Sequence, residues 1–239
     1  MVPTPENAPL IALPTLVWLF DIDGTLLLTE GAGREALAAA LLERYGVADD
    51  LRSIAFAGRT DPLIVTDIAN KHALPIDDPA ENAAFWPLVH AHMRRIMDPP
   101  RGVLLSGVPQ LLDAVDAEPS WLSALLTGNQ SEMAHIKLAA FGVNERFAFG
   151  AFGQEAADRN ALAIVAVERV WELTGLAPDR CIVIGDTEND IACARAAGAH
   201  AVAVATGGSS REVLAAHAPD LLLDSLEDPA PLLAWARTL

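Results

Sequence analysis

Short apolar segments alternate with helix-like segments from residue 108 onward, and this alternation constrains the fold more than any other feature. Helices are expected at residues 108–117, 131–141, 159–173, 188–197 and 210–216. Strands are expected at residues 16–20, 121–126, 147–152, 181–184, 201–205 and 221–223. Apolar strands that alternate with helices indicate a parallel sheet covered on both faces. The pattern therefore predicts an α/β fold with a doubly wound parallel sheet, a Rossmann-like core.

A long stretch after the first strand carries helical patterns and no convincing strand. Three helices are expected in it, at residues 34–45, 61–72 and 79–97. Gly46 suits the end of the first helix, whereas Asp61 as N-cap and Pro62 in the first turn suit the start of the second. Such a stretch is too long for a loop in a compact domain, and it is natural for an inserted helical module.

The expected domain organisation follows from these patterns. An all-helical cap domain is predicted at residues 29–105, inserted into an α/β core formed by residues 1–28 and 106–239. The first nine residues contain too many prolines for regular structure and are expected to form a loose arm.

Charge and cysteine usage exclude several classes of function. The formal net charge of −16 disfavours binding to nucleic acid and to anionic membranes. This net charge is compatible with a small anionic substrate, because a cleft can hold a local positive site inside an acidic molecule. Pro14 interrupts the apolar run 10–20, and no basic region precedes it, so neither a membrane helix nor a signal peptide is expected. Cys181 and Cys193 cannot form a disulfide framework, which favours a reducing, cytoplasmic location.

Two carboxylates follow the first expected strand. Asp21 and Asp23 lie two residues apart in the sequence Asp-Ile-Asp-Gly-Thr, and side chains at this spacing share a side of an extended segment. Adjacent carboxylates repel unless a cation or a shared proton compensates them, so the pair indicates metal or acid/base chemistry. The alternative is a solvated turn formed by Asp23 and Gly24.

Polar residues also follow two later strands. Thr127, Gly128 and Asn129 follow one of them, in a position suited to an anion. Asp186 and Asp190 follow another, about one helical turn apart. Thr127, Asp186 and Thr187 could alternatively serve only as helix N-caps. Because ligands of doubly wound sheets bind beyond the carboxyl ends of the strands, one shared site is the more economical interpretation.

These three motifs resemble those of the haloacid dehalogenase-like hydrolases, in particular the phosphoglycolate phosphatase-like members with a helical cap. The DxDGT motif matches residues 21–25, the strand-end threonine matches Thr127, and the GDxxxD motif matches residues 185–190. The resemblance covers nearly the whole chain from Leu16 onward. It implies a Mg²⁺-dependent hydrolase of a small phosphorylated metabolite that forms an aspartyl-phosphate intermediate.

The resemblance also implies roles for individual residues. Asp21 would be the nucleophile, and Asp23 would be the general acid and base, with its main-chain carbonyl on the metal. Asp186 would hold Mg²⁺ together with Asp21, and Asp190 would support this metal site. Thr127 and the backbone near Gly128 and Asn129 would bind the phosphoryl oxygens.

The sequence departs from the family pattern at the third motif, which is usually a lysine. No lysine lies at residues 154–160; Arg159 stands near the expected place, and Lys137 follows Thr127 on the next helix. Arg159 is slightly favoured as the replacement, and surface positions are the alternative for both residues. In the cap, Arg59 is the first candidate for reading the substrate, and Arg34 is a weaker one.

Three other functions fit parts of the same pattern. A haloacid dehalogenase of this family resembles a pattern with an aromatic residue in place of Asp23, so Asp23 favours phosphoryl chemistry. A phosphomutase would keep all the motifs. A non-catalytic binding or regulatory member is compatible with the missing lysine. The specific substrate and the oligomeric state are not predicted, because a fold does not fix them.

Overall fold

A six-stranded parallel sheet forms the centre of the protein. The structure is a computed structural model that describes residues 14–239, so the expected N-terminal arm lies outside the described residues. The strands are β1 (Leu16–Phe20), β4 (Trp121–Thr127), β5 (Gly150–Phe152), β6 (Cys181–Gly185), β7 (His200–Val204) and β8 (Leu221–Leu223). Their order across the sheet is β5-β4-β1-β6-β7-β8, with every neighbouring pair parallel.

Helices cover both faces of this sheet. They are α4 (Val108–Asp116), α5 (Ser131–Ala140), α6 (Arg159–Thr174), α7 (Glu188–Ala197), α8 (Arg211–Ala216) and α9 (Ala230–Ala236). Trp18 and Phe20 of β1 pack into a core with α4, α5 and α9, whereas Val17 and Leu19 pack into the opposite core with α6, α7 and α8. A strand buried on both faces needs a continuous apolar sequence, as β1 has. The predicted doubly wound fold is confirmed.

The chain between β1 and α4 forms a helical module with its own core. Its helices are α1 (Ala32–Tyr45), α2 (Asp61–His72) and α3 (Pro79–Ile96). Leu37 and Leu41 of α1 pack against Ile68 of α2 and against Phe85 and Val89 of α3. This arrangement confirms an inserted helical cap, while its exact boundaries stay a prediction.

One expectation about this module is wrong. Residues 29–105 were expected to hold no strand, but β3 (Val103–Leu104) pairs antiparallel with β2 (Leu27–Leu28) where the chain enters and leaves the module. A two-residue strand carries no readable hydrophobic period. Gly102 allows the close approach of the two connections, because a Cβ there would collide with the backbone of Leu28.

Helix and strand ends differ from the expectations in three places. Thr60, and not Asp61, occupies the N-cap position of α2, although its side chain makes no capping hydrogen bond. The Asp61 carboxylate instead accepts a hydrogen bond from the backbone N–H of Gln130 at 2.8 Å. The strand expected at 147–152 is shorter and covers only Gly150–Phe152. Helix α9 was not expected; it starts among prolines, which a first helical turn tolerates.

Within residues 14–239, no helix combines the length and the apolar character that crossing a membrane requires.

Candidate active site

The sheet order brings the three polar strand ends to one place. Strand β1 lies between β4 and β6, so Asp21 follows β1 in the gap flanked by Thr127 at the end of β4 and Asp186 after β6. Strand order reverses at this point, and ligands of doubly wound sheets bind in the crevice that results. A cavity of about 530 Å³ opens there, between the sheet and the helical module. Its lining includes Asp21, Asp23, Asn129, Lys137, Arg159 and Asp186.

Three carboxylates form a cluster beside the cavity floor. Asp21, Asp186 and Asp190 are buried, and one oxygen of each lies within 4.8 Å of the other two. Burial raises the pKa of Asp186 to about 8, with the charges of Asp21 and Asp190 acting in the same direction. Burial also raises the pKa of Asp21 to about 6, although the Arg159 guanidinium opposes the rise. Burial therefore disfavours the ionised form of both carboxyl groups unless a cation compensates them.

Asp186 is held by groups from two other strand ends. Its Oδ1 accepts a hydrogen bond from Thr25 Oγ1 at 3.2 Å, and its Oδ2 accepts one from the backbone N–H of Gly208. A Cβ at Gly24 or at Gly207 would collide with this carboxylate. Gly24 also has a φ of 85°, which glycine adopts without strain. The site thus needs small residues on both sides of Asp186.

Asp190 is the most fully bonded carboxylate of the cluster. Its Oδ2 accepts hydrogen bonds from the backbone N–H of Thr187 at 2.9 Å and from Thr187 Oγ1 at 2.7 Å, which together form a capping box at the start of α7. Its Oδ1 accepts a hydrogen bond from Arg159. Asp190 therefore both caps α7 and anchors a buried cation.

Arg159 lies between two members of the cluster. Its Nη2 is 3.1 Å from Asp21 Oδ1, and the same nitrogen pairs with Asp190. Burial would lower the pKa of Arg159, but the charges of Asp190 and Asp21 outweigh it and hold that pKa well above its usual value. The alternative of a surface ion pair with Asp158 or Glu155 is wrong, since Arg159 is buried.

Lys137 contacts the second aspartate of the first motif. Its Nζ donates to Asp23 Oδ2 and to Asn129 Oδ1, each at 2.6 Å. Asn129 Nδ2 donates at 2.8 Å to Asp23 Oδ2 and, at the same distance, to Thr127 Oγ1. The expected surface alternative is wrong for Lys137 too, because its side chain is buried. The two candidate cations thus occupy separate positions, Arg159 on Asp21 and Lys137 on Asp23.

The loop before α2 packs directly onto the end of β4. A Cβ at Gly128 would collide with the backbone carbonyl of Arg59. The backbone N–H of Asp61 donates to the Gly128 carbonyl at 2.7 Å, and the Asp61 side chain accepts from Gln130. Arg59 of this loop lines the cavity, and its guanidinium pairs with Asp67 of α2; its role in reading the substrate stays a prediction.

Sequence reasoning missed the contributions of Thr25, Gly207 and Gly208 to this site. All three contact or closely flank Asp186. Gly207 and Gly208 follow β7, the strand next to β6, so a glycine pair just after a strand was the signal available. This signal is weaker than the hydroxyl of Thr127 at the end of β4, because glycines contribute only backbone groups and space.

The residues at the cluster fit a divalent cation. The donor set consists of carboxylate oxygens, which a hard cation such as Mg²⁺ prefers. The pKa values of Asp21 and Asp186 are raised, and a bound cation would stabilise the ionised form of both carboxylates. Asp21 and Asp186 line the cavity, whereas Asp190 lies behind them and pairs with Arg159, so Asp21 and Asp186 are the better placed ligands.

Comparison with known proteins gives phosphatases among the relatives of this chain. The model of a family described as HAD-hydrolase-like matches residues 159–229. Fructose-1-phosphate phosphatase YqaB of Escherichia coli is 29% identical over 204 residues, covering 78% of this chain and 94% of that protein. Phosphoglycolate phosphatase of Salmonella typhi is 39% identical over 59 residues, but the match covers only 25% of this chain and 23% of that protein.

A solved structure shows the same fold over nearly the whole chain. It is that of a predicted phosphoglycolate phosphatase from Haemophilus somnus, with a TM-score of 0.71 and 20% identity, covering 92% of this chain and 98% of that one. The family match, the relatives and the shared fold agree with the motifs at Asp21, Thr127 and Asp186. The chain is therefore similar to the haloacid dehalogenase-like hydrolases, and the relatives named here are phosphatases.

Proposed function

We propose that the protein is a Mg²⁺-dependent phosphomonoester hydrolase that acts on a small phosphorylated metabolite through an aspartyl-phosphate on Asp21. The observation that carries this proposal is the convergence of Asp21, Asp23 and Asp186 on one cavity, with Thr127 at the adjacent strand end. The motifs predicted these residues separately, and the sheet order brings their strand ends together, which supports one shared phosphoryl site.

Asp21 is the proposed nucleophile. Arg159 contacts its Oδ1 at 3.1 Å, which fixes the orientation of the carboxylate and favours its ionised form. An oxygen of Asp21 attacks the phosphorus, the bond to the ester oxygen breaks, and the phosphoryl group passes to Asp21. A covalent step of this kind divides the hydrolysis into two easier reactions.

Asp23 is the proposed general acid and base. It gives a proton to the leaving ester oxygen, and it later removes one from the water that attacks the phosphorylated Asp21. Lys137 and Asn129 both bond to Asp23 Oδ2, so they fix the carboxyl group and leave Oδ1 for the proton transfers. We assign Lys137 this positioning role and Arg159 the place of the missing third-motif lysine.

Thr127 and Gly128 are the proposed phosphoryl-binding residues. Thr127 Oγ1 accepts from Asn129 Nδ2, so its own hydroxyl proton is available to a phosphoryl oxygen. The Asn129 backbone N–H already donates to Thr127 Oγ1 at 3.3 Å, so Asn129 acts mainly through its side chain. Donors fixed in advance at such positions stabilise charge that develops in the transition state.

Mg²⁺ would be held by the carboxylates of Asp21 and Asp186 and by the main-chain carbonyl of Asp23, with Asp190 supporting them. When bound, it would supply positive charge for the phosphoryl group. The carboxylates that would hold the metal are oriented by hydrogen bonds: Thr25 and the Gly208 N–H orient Asp186, and Thr187 orients Asp190.

The relatives indicate which phosphate esters to test first. One is named for fructose 1-phosphate and others for phosphoglycolate, and a cavity of about 530 Å³ has room for either. We also place the enzyme in the cytoplasm, since both cysteines are free and buried thiols, as a reducing compartment permits.

The test is hydrolysis of para-nitrophenyl phosphate with Mg²⁺ and with excess EDTA. The wild type is expected to need the metal, and Asp21→Asn is expected to lose at least 10³-fold in kcat while keeping its circular dichroism spectrum. Undiminished turnover in EDTA would contradict the metal requirement. Absence of turnover on any phosphate ester with Mg²⁺ would favour a non-catalytic member, and release of halide from a haloacid would favour a dehalogenase.

A further inference from the structure

The cavity is lined by four cationic side chains, and three of them are neutralised by carboxylates. Arg159 pairs with Asp21 and Asp190, Lys137 pairs with Asp23, and Arg59 pairs with Asp67. The fourth cation, Arg34, makes no ion pair with any of the residues 14–239. A protein of net charge −16 offers many carboxylates, so an arginine without one in a binding cavity points to a ligand.

Arg34 is held in place by its surroundings while its polar atoms stay unused. Its guanidinium carbon lies 4.7 Å from the ring centroid of Phe56, in a cation–π contact. Its Nε is buried and has no hydrogen-bond partner in the described part of the chain. A donor in such a position is costly unless another group accepts from it. Phe56 and Trp86 also line the cavity, so aromatic side chains contribute to the lining on which Arg34 lies.

Arg34 lies near the side of the cavity where the leaving group of the substrate would bind. Lys137 Nζ is 2.6 Å from Asp23 Oδ2. A Cβ at Gly33, the residue before Arg34, would lie 3.9 Å from the same Nζ. Since Asp23 protonates the ester oxygen in the proposed function, the organic part of the substrate lies on the side of Asp23 where α1 begins.

We infer that Arg34 forms a second anion subsite, which binds a carboxylate or a second phosphate on the organic part of the substrate. This inference rests on the proposed function and extends it to a substrate class: small phosphomonoesters with two anionic groups. The guanidinium fork can bond either anion in a bidentate manner. Phe56 packs against the guanidinium, and the aromatic side chains nearby strengthen the charge interaction by excluding water.

Binding of phosphonates, which are not hydrolysed, tests the subsite directly. Titration calorimetry with Mg²⁺ compares methylphosphonate, which has one anionic group, with phosphonoacetate, which adds a carboxylate, and with propane-1,3-bisphosphonate, which adds a second phosphonate. The wild type is expected to bind at least one of the two larger ligands about tenfold or more tightly than methylphosphonate. Whichever ligand gains identifies the second anion.

Three variants assign the gain to Arg34. Arg34→Met keeps an apolar stem over Phe56 and is expected to abolish the gain, while methylphosphonate binding changes less than threefold. Arg34→Lys keeps the charge without the planar fork and is expected to retain part of the gain. Arg52→Met is the matched control, because Arg52 is an exposed cap arginine paired only with Asp50. It removes the same charge and is expected to retain the full gain.

The inference and the proposed function fail in different ways. A wild type that binds all three phosphonates equally, or an Arg34→Met variant that keeps the gain, would overturn the subsite even if para-nitrophenyl phosphate is hydrolysed. An equal loss in Arg52→Met would also overturn it, because the effect would then be one of net charge. Conversely, a chain that hydrolyses no phosphate ester yet shows the Arg34-dependent gain would refute the proposed function alone.

Discussion

The buried carboxylate Asp186 should make the metal-free protein less stable as the pH rises. Its pKa in the folded protein is about 8, against 3.8 for an ordinary aspartate. Between these two values the folded chain binds a proton that the unfolded chain has lost, so the free energy of unfolding falls with rising pH. The slope is about 1.4 kcal/mol per pH unit for one group, or about 3 kcal/mol between pH 5 and pH 7.

Urea unfolding in EDTA at several pH values measures this slope, and Asp186→Asn isolates its source. The wild type should lose about 3 kcal/mol more than the variant between pH 5 and pH 7. Asp21 and Asp61, whose pKa values burial raises to about 6, act in the same direction and remain in both proteins. Asp224→Asn is the control, since this exposed carboxylate has only a surface ion pair with Arg211.

Mg²⁺ should reverse the trend, because it binds the ionised cluster of the folded state. Saturating Mg²⁺ is expected to stabilise the wild type strongly at pH 7 and much less at pH 5, where protons compete for the carboxylates. Equal pH slopes in the wild type and in Asp186→Asn would refute the reasoning. A Mg²⁺ stabilisation independent of pH would show that the cation binds elsewhere.

Two further predictions concern the cations and the contact between cap and core. Arg159→Met should lower kcat on para-nitrophenyl phosphate at least 10²-fold. It should also raise the pH at which Asp21 becomes active as the nucleophile, because the cation that favours the ionised form of Asp21 is gone. Lys137→Met should lower kcat without this shift, and pH–rate profiles of the two variants test the difference. Gly128→Ala should raise KM, since a methyl group there meets the backbone of Arg59. Gly142→Ala meets nothing within 4 Å but strains a backbone of φ 71°, so it should lower stability and change KM less. Equal effects on KM would show that this contact does not govern substrate entry.

The sequence predicts most of the sheet because the strands that form it are apolar on both faces. The continuous apolar runs of β1 and β6 give unambiguous strands, and their burial pattern shows why. The pairing of β2 with β3 escaped prediction, since two residues carry no period and their contact depends on a connection far along the chain. Helix α9 escaped for a related reason: prolines at its start hid a short apolar face formed by Leu232, Leu233 and Ala236.

The sequence predicts the site residues that directly follow a strand. It predicts less well the contacts of side chains that reach the site from a helix. Asp21 and Asp186 follow adjacent strands, so the sheet order alone brings them together. Arg159 and Lys137 start from different helices, and no spacing in the sequence shows which carboxylate each one reaches. In the structure, Lys137 contacts Asp23 and Arg159 contacts Asp21, the two aspartates of the first motif.

Asp190 shows why a local interpretation and a catalytic one need not compete. The sequence offered two explanations for the segment after β6: a helix start with its N-cap, or part of a metal and phosphate site. The structure contains the N-cap, because Thr187 and Asp190 form a capping box. The same carboxylate uses its other oxygen to hold Arg159, whose guanidinium contacts Asp21. The start of α7 therefore fixes the position of the cation at the nucleophile, so Asp190→Asn should impair catalysis through Arg159 as well as through the helix.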